Sequence, residues 1–398
     1  QNNGNKLVSD NFDFAKRQMV HMLENIPQGE AKMPHSINGK GNTSCRSIYW
    51  WTSGFFPGIL WYINEYTGDK TFESFAKKWT EKLEPVKTFK GNHDIGFMMY
   101  CSFGNAYRLT QNEKYKDILI QSAYSLATRF NPQVGTIKSW DSWRSWENKH
   151  VFKYPVIIDN MMNLELLFWA SKATGDPSFR NIAISHAEKT MKYQIRKDGS
   201  SYHLACYDPE TGNFIKGETS QGYSNESTWS RGQGWGIYGF TLCYRETKDP
   251  RFLKTAQRMA DYYINHPNLP SDKIPWWDFD THRPGFIPGK FSKTNKYIQN
   301  YRDASAASVT ASALLELSSY VKDDKKKIYT ETALQILTSL SSPEYRAEEG
   351  KNGNFILKHS TGAIPHGSEV DVPLIYADYY FLEALLRYNR MINNKPIL

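Results

Sequence analysis

Two kinds of helical segment alternate along this chain. The first kind is apolar nearly all round and rich in small residues. It appears as "SGFFPGILWYINEYTGD" from Ser53, "HDIGFMMYCSFGNAYRLTQN" from His93 and "IDNMMNLELLFWASKATGD" from Ile158. It recurs as "RGQGWGIYGFTLCYRETKD" from Arg231, "RDASAASVTASALLELSSYVKD" from Arg302 and "YADYYFLEALLRYN" from Tyr376. The second kind carries one apolar stripe at helical spacing and a charged opposite face, as in "YKDILIQSAYSLATRF" and "FLKTAQRMADYYINH". A stripe on one face predicts an outer helix. A segment such as "DASAASVTASALLEL" predicts a helix buried on most sides, whose small residues let neighbours approach closely.

The turns "TGDKTF", "TGDPSF" and "TKDPRF" separate the two kinds with Gly, Asp and Pro. Repeats of this type bury each other's faces. The pattern predicts an all-α chain, an (α/α)6 barrel of six inner and six outer helices, with residues 1–398 as one catalytic domain. An open helical array is the structural alternative. Residues 131–155 and 198–230 interrupt the period and are expected to be loops at one end of the ring.

Composition narrows the function. No apolar run is long enough to cross a bilayer. Aromatic residues reach 15% of the chain, more than a core needs, which suggests an aromatic-lined cleft for sugars or flat ligands. The net charge of +8 is spread rather than blocked, so it reads as a solvated surface without nucleic-acid binding, and it favours an anionic substrate. Cys45, Cys101, Cys206 and Cys243 have no metal-like spacing, and Cys101 and Cys243 sit in apolar helical runs as buried thiols. The start "QNNGNKLVSD" fits a mature exported form, hence a periplasmic setting, although a trimmed chain would look the same.

Several inner segments open on a charged or polar residue: His93 and Asp94, Asp159, Arg231, Arg302 and Asp303, and Asp378. An Asp there caps free backbone N–H groups or faces a cleft. Asp303 and Asp378 are assigned to capping or structure. Asp94 and Asp159 start consecutive inner helices, which places them side by side on one rim. Two carboxyls in one dry cleft have their pKa values pushed apart, leaving one as an acid. The loops add Trp140, Trp143 and Trp146, which would form a stripe on a helix, then His203, Gln221 and Trp235. An Arg at a buried helix start, here Arg231, needs an anionic partner, either a protein carboxylate or one on the substrate. "GWGIYG" matches G-x-G-x-x-G, but no strand precedes it; its glycines thin a central helix and let the chain approach a ligand. No metal-binding spacing and no nucleophile elbow is found.

Taken in order, "NHDIGFMMYCSFGNAYRLT", "VIIDNMMNLELLFWAS" and "WSRGQGWGIYGF" resemble the unsaturated glucuronyl hydrolases, family 88 of the glycoside hydrolases. The resemblance runs from about Ser53 to Tyr388. It implies the same barrel, no cofactor, and as partner an oligosaccharide ending in a 4,5-unsaturated uronic acid. By this resemblance Asp159 protonates C4 of the double bond and Asp94 contacts sugar hydroxyls and is required. His93, His203, Gln221, Arg231 and Trp235 then match substrate-contacting positions. Trp140 matches a stacking position with Trp143 as competitor, and Trp51 walls the sugar site with Trp50 as competitor. The alternatives are an unsaturated rhamnogalacturonyl hydrolase acting on pectin fragments and a non-catalytic glycan-binding protein on the same barrel. Lyase products form outside the cytoplasm, which agrees with export, but the family also has cytoplasmic members.

Overall fold

The Thr-Gly-Asp turns end one helix and start the next. Gly68 and Gly175 take left-handed φ of 71° and 77° just past a helix, where a side chain would be strained. Asp69, Asp176 and Asp249 then accept backbone N–H groups in the first turn of the following helix. The computed structural model describes residues 2–294 and 297–398.

In chain order the outer helix α1 (Asn2–Glu24) leads to the inner helix α2 (Phe55–Thr67), and outer α3 (Lys70–Glu81) follows. The second inner element is α4 (Ile95–Met99), a π-helical turn (Tyr100–Gly104) and α5 (Asn105–Thr110), then outer α6 (Glu113–Ala127). Inner α7 (Leu164–Thr174) is preceded by a 3-10 helix (Ile158–Asn163) and followed by outer α8 (Pro177–Tyr193). Inner α9 (Ser230–Thr247), outer α10 (Pro250–Asn265), inner α11 (Ala304–Ser318), outer α12 (Asp323–Leu340) and inner α13 (Ile375–Ile392) complete the order. These are six inner and six outer elements, the (α/α)6 barrel that the pattern predicts. The last inner helix packs on the first, and Tyr62 of α2 donates to Glu383 of α13 at 2.8 Å, which closes the ring.

Burial divides the helices as expected. Every residue of α11 is buried. On α10 only one face is, through Phe252, Ala256, Met259, Ala260 and Tyr263. The glycines of "GWGIYG" do thin their helix, but toward protein rather than ligand. A Cβ at Gly236 would lie 2.2 Å from the Met259 side chain and one at Gly239 2.3 Å from that of Met161.

The loops are more ordered than expected. Strands Pro155–Ile157, Leu204–Tyr207 and Phe214–Glu218 form an antiparallel sheet with Leu204–Tyr207 in the middle. They come from the two stretches read as loops. Their few residues have no period long enough to separate a strand from a turn. The tryptophans of residues 140–146 do not form a helical stripe either. Trp143–Arg144 pairs with Val151–Phe152 as a short hairpin, and Trp140 and Trp143 stay in ring contact at 6.1 Å in one small cluster instead of on a helix face.

The inner helices share a direction, so their starts gather at one end and their last turns at the other. A cavity of about 570 Å³ opens at the far end, among Tyr62, Tyr100, Glu165, Arg245, Glu383 and Arg387. A groove of about 450 Å³ lies beside α10, lined by Lys197, Arg258 and His266. Neither is lined by Asp94 or Asp159.

Candidate active site

Among the described residues, five helix starts are capped by an Asp or Asn side chain: Asp69, Asn112, Asp176, Asp249 and Asp303. Asp94 and Asp159 are different. Asp94 stands at the cap position of α4 without making a side-chain cap bond. Asp159 lies inside the 3-10 turn that precedes α7, a full turn earlier than a cap would need. Capping therefore does not account for either carboxylate.

The two helix starts pack directly on each other. Asn163 accepts the Phe97 N–H at 2.8 Å, and a Cβ at Gly96 would lie 2.4 Å from the Asn163 amide oxygen. That contact brings the Asp94 turn against the Asp159 turn, the side-by-side arrangement expected from their order. Ser139 ties the neighbouring loop in: its hydroxyl accepts the Ile157 N–H, and its carbonyl accepts the His93 N–H.

A histidine accompanies each carboxylate. His93 Nε2 lies 3.1 Å from Asp94 Oδ1, and His203 Nε2 lies 3.6 Å from Asp159 Oδ1. Backbone geometry selects the His203 tautomer. Its Nδ1 accepts the Ser220 N–H at 3.0 Å, so a neutral ring carries its proton on Nε2, facing Asp159. Asp159 Oδ1 and His203 Nε2 are buried and have no hydrogen-bond partner among the described residues. Buried polar atoms are normally satisfied, so this pair is an exception that suits a ligand.

The sequence-predicted residues separate into two layers. Trp51, Asp94, Trp140 and Gln221 are partly exposed. Trp51 packs against Phe97 and Tyr376 at 5.5 and 4.8 Å between ring centroids, while Trp50 points outward. Trp140 stands edge-on to His203 at 6.3 Å. Its competitor Trp143 lies beside it at 6.1 Å but is more buried, and its indole N–H donates to the buried Glu218 at 2.8 Å.

Beneath that layer lie His93, His203, Arg231 and Trp235, each at most 2% exposed. Trp235 and Arg231 both have protein neighbours here. Trp235 has no exposed surface and lies tilted against Phe97 at 5.2 Å, which itself packs on Trp51. Arg231 has protein partners: Asp303 at 3.3 Å and the carbonyls of Thr361 and Gly362 at 2.7 and 2.9 Å. Trp229 and Tyr376 flank its guanidinium at 4.5 and 5.1 Å. Burial opposes its charge, but Tyr376, Asp303, Asp159 and Glu369 outweigh burial and raise its pKa. Arg231 thus clamps the 361–362 backbone and adds positive field to the Asp159 pocket.

Asp303 has both assigned roles, capping Ser305 and pairing with Arg231. Asp378 caps nothing in its own helix; it accepts the Ile356 and Leu357 N–H groups at 2.8 and 3.0 Å.

Sequence reasoning missed His35 and Glu369. His35 Nε2 lies 2.6 Å from Glu369 Oε1, and the Glu369 carbonyl accepts the Gly362 N–H. Burial alone would raise the Glu369 carboxyl, but His35, Arg231 and Arg46 hold it below its ordinary value. The two residues are more than three hundred positions apart and carry no local signal. Ser220 also binds His366 at 3.0 Å, which brings the "STGAIPHGSEVDVPL" loop to this rim. Residues 295 and 296 of the neighbouring 276–300 loop lie outside the described residues.

The family model for Glycosyl Hydrolase Family 88 matches residues 25–244. The chain is 46% identical over 343 residues to an unsaturated glucuronyl hydrolase of Formosa agariphila, covering 86% of this chain and 80% of that one. The chain belongs to glycosyl hydrolase family 88. An unsaturated chondroitin disaccharide hydrolase of Streptococcus pyogenes is 33% identical, covering 85% of this chain and 81% of the relative. The crystal structure of an unsaturated glucuronyl hydrolase specific for heparin superposes with a TM-score of 0.88 at 44% identity, over 98% of this chain and 99% of that one. Membership in family 88 agrees with the barrel described above. No helix among the described residues is long and apolar enough to cross a membrane, and no group of three or more His, Cys, Asp or Glu there is arranged to hold a metal ion.

Proposed function

We propose that this family 88 chain removes a 4,5-unsaturated uronic acid from the non-reducing end of lyase-generated oligosaccharides by hydrating its C4=C5 double bond. The observation that carries this reading is Asp159: a buried carboxyl at an inner-helix start that makes no cap bond and has its Oδ1 3.6 Å from His203 Nε2 with no hydrogen-bond partner among the described residues.

Asp159 in its acid form delivers a proton to C4 of the enol ether. Positive charge then spreads over C5 and the ring oxygen. Water adds to C5 and gives its spare proton to the Asp159 carboxylate, which restores the acid. The C5 hemiketal opens to a ketone, the freed ring oxygen becomes a hydroxyl on C1, and C1 releases the glycan. No covalent glycosyl-enzyme forms, unlike the usual retaining scheme. His203, with Nε2–H toward Asp159, holds the carboxyl in place and stabilises its anion while it is deprotonated. Asp94 accepts sugar hydroxyls and His93 orients it. Trp51 and Trp140 give the ring apolar walls.

Glycosaminoglycan-type products are the substrates to try first, because the similar proteins are named for glucuronyl and chondroitin units. The test is incubation with unsaturated disaccharides from several lyases, read as loss of the ultraviolet absorbance of the conjugated double bond. Loss with one or a few supports the reading. Loss with pectin-derived disaccharides alone would replace it by the rhamnogalacturonyl reaction, and tight binding without any loss would replace it by a binding function. A site of action outside the cytoplasm follows from where lyase products form, and cell fractionation tests it.

A further inference from the structure

Helix α4 begins without help from its own cap side chain, yet its first turn is satisfied. The Gly96 N–H goes to the His93 carbonyl and the Met98 N–H to the Asp94 carbonyl. The Phe97 N–H lies between them, three residues after the cap position, where a capping side chain normally accepts. At the five capped starts the cap residue is extended, with ψ between 94° and 117°, and its oxygen accepts an N–H two residues on. Asp94 instead has a helical ψ of −2° and makes no such bond. Its carboxylate sits 3.1 Å from His93 Nε2.

The missing acceptor comes from the neighbouring inner element. Asn163 is the last residue of the 3-10 turn that holds Asp159, and its amide oxygen accepts the Phe97 N–H at 2.8 Å. Its amide nitrogen donates to the Asn160 side-chain oxygen at 3.0 Å, which leaves the Asn163 oxygen to face Phe97. Asn160, Asn163 and Phe97 are all buried, where an N–H without a partner is costly. A Cβ on Gly96 would meet the Asn163 oxygen at 2.4 Å, so glycine at 96 makes room for this bond. A free N–H at a helix start attracts a carboxylate, and Asp94 stands at the position from which an Asp would reach it.

We propose that Asn163 is a positioning residue: it caps α4 from the neighbouring element and so keeps Asp94 out of the cap and in the cleft. The proposal rests on the reading that Asp94 contacts the sugar. Without Asn163, Asp94 turns to an extended ψ, accepts the Phe97 N–H and withdraws from the substrate. Stability and function test this separately. In urea unfolding, Asp94→Ala alone should change the unfolding constant by less than about twofold, with the Phe97 amide still protected from hydrogen exchange. Asp69→Ala, which removes a side-chain cap, should raise that constant about fivefold. In the Asn163→Ala background Asp94→Ala should also raise it about fivefold, because Asp94 has taken over the cap. In turnover, Asn163→Ala should raise KM about fivefold with kcat within about twofold, because substrate must draw Asp94 back from the conformation that most molecules hold. An Asp94→Ala effect as large as that of Asp69→Ala, additive effects of Asp94→Ala and Asn163→Ala, or an unchanged KM overturns the proposal. If Asn163→Ala does not fold, the comparison of Asp94→Ala with Asp69→Ala and the Phe97 exchange decide it. A wild type inert toward every unsaturated disaccharide condemns the hydration reading, while the unfolding measurements still judge the cap.

Discussion

The two ends of the barrel treat buried polar groups in opposite ways. At the far end, Glu383 accepts from Tyr62, Tyr238 and Ser312 at 2.6–2.8 Å and lies 3.5 Å from Arg387. Glu316 there accepts from Arg245 and Tyr320 at 2.9 and 2.7 Å. Charge is met by charge, and the network links α2, α9, α11 and α13. At the rim, Asp159 Oδ1, His203 Nε2 and His93 Nδ1 have no hydrogen-bond partner within the described protein. The same helices carry both ends, so helix propensity does not explain the difference. A partnered network adds rigidity, while unmatched polar atoms hold interaction energy for a ligand.

The largest test of that comparison is Asp159→Asn. It is expected to lower kcat by about three orders of magnitude, as loss of a general acid does, with a melting temperature close to wild type. Asp94→Asn should behave nearly alike. Substantial activity in Asp159→Asn would remove the acid assignment, and unfolding of both variants would return the two carboxylates to a structural role.

The opposite outcome is expected at the far end. Glu383→Ala removes the acceptor of the Tyr62, Tyr238 and Ser312 hydroxyls and one of the two carboxylates beside Arg387, and should cost about 3–5 kcal/mol in urea unfolding while folded protein keeps its specific activity. A smaller effect separates the rim's own structural groups from its catalytic ones. Trp143→Phe takes one donor from buried Glu218, which keeps Ser145 at 2.7 Å, and should cost about 1–3 kcal/mol without changing KM. A large KM change would move Trp143 into the sugar site in place of Trp140.

The last test is a slope. Burial pushes the Asp378 carboxyl up to about 8, against the two backbone N–H groups that favour its anion. The folded state then keeps a proton that the unfolded chain releases near its ordinary value of 3.8. The resulting stability is fully present below that value and is lost as pH rises toward 8. Asp378→Asn keeps a neutral side chain, so the difference in unfolding free energy between variant and wild type should shift in the variant's favour from pH 4 to 8. A pH-independent difference would mean that Asp378 is ionised in the fold.

Much of this was legible in the residues. The alternation of apolar and striped segments sufficed for six inner and six outer helices, because burial on all sides and burial on one side leave different periodicities. The Gly and Asp turns sufficed for the helix ends. Asp94 and Asp159 stood out by their place at consecutive inner-helix starts. Other features left no local trace. The three-stranded sheet, the pairing of Trp143 with Glu218 and the His35–Glu369 contact join segments far apart in the chain. "RDASAAS" predicts the Asp303 cap but not its bond to Arg231.

The chain's order of residues by itself determined the barrel and the set of side chains at its rim, since patterning and turn chemistry act over a few residues. Only the tertiary structure decided which of those side chains faces the cleft and which lies behind it. Asp69 and Asp159 are the same residue type at similar places near a helix start. One caps and the other does not, and the difference lies in backbone position and in the partners that folding brings within hydrogen-bond distance.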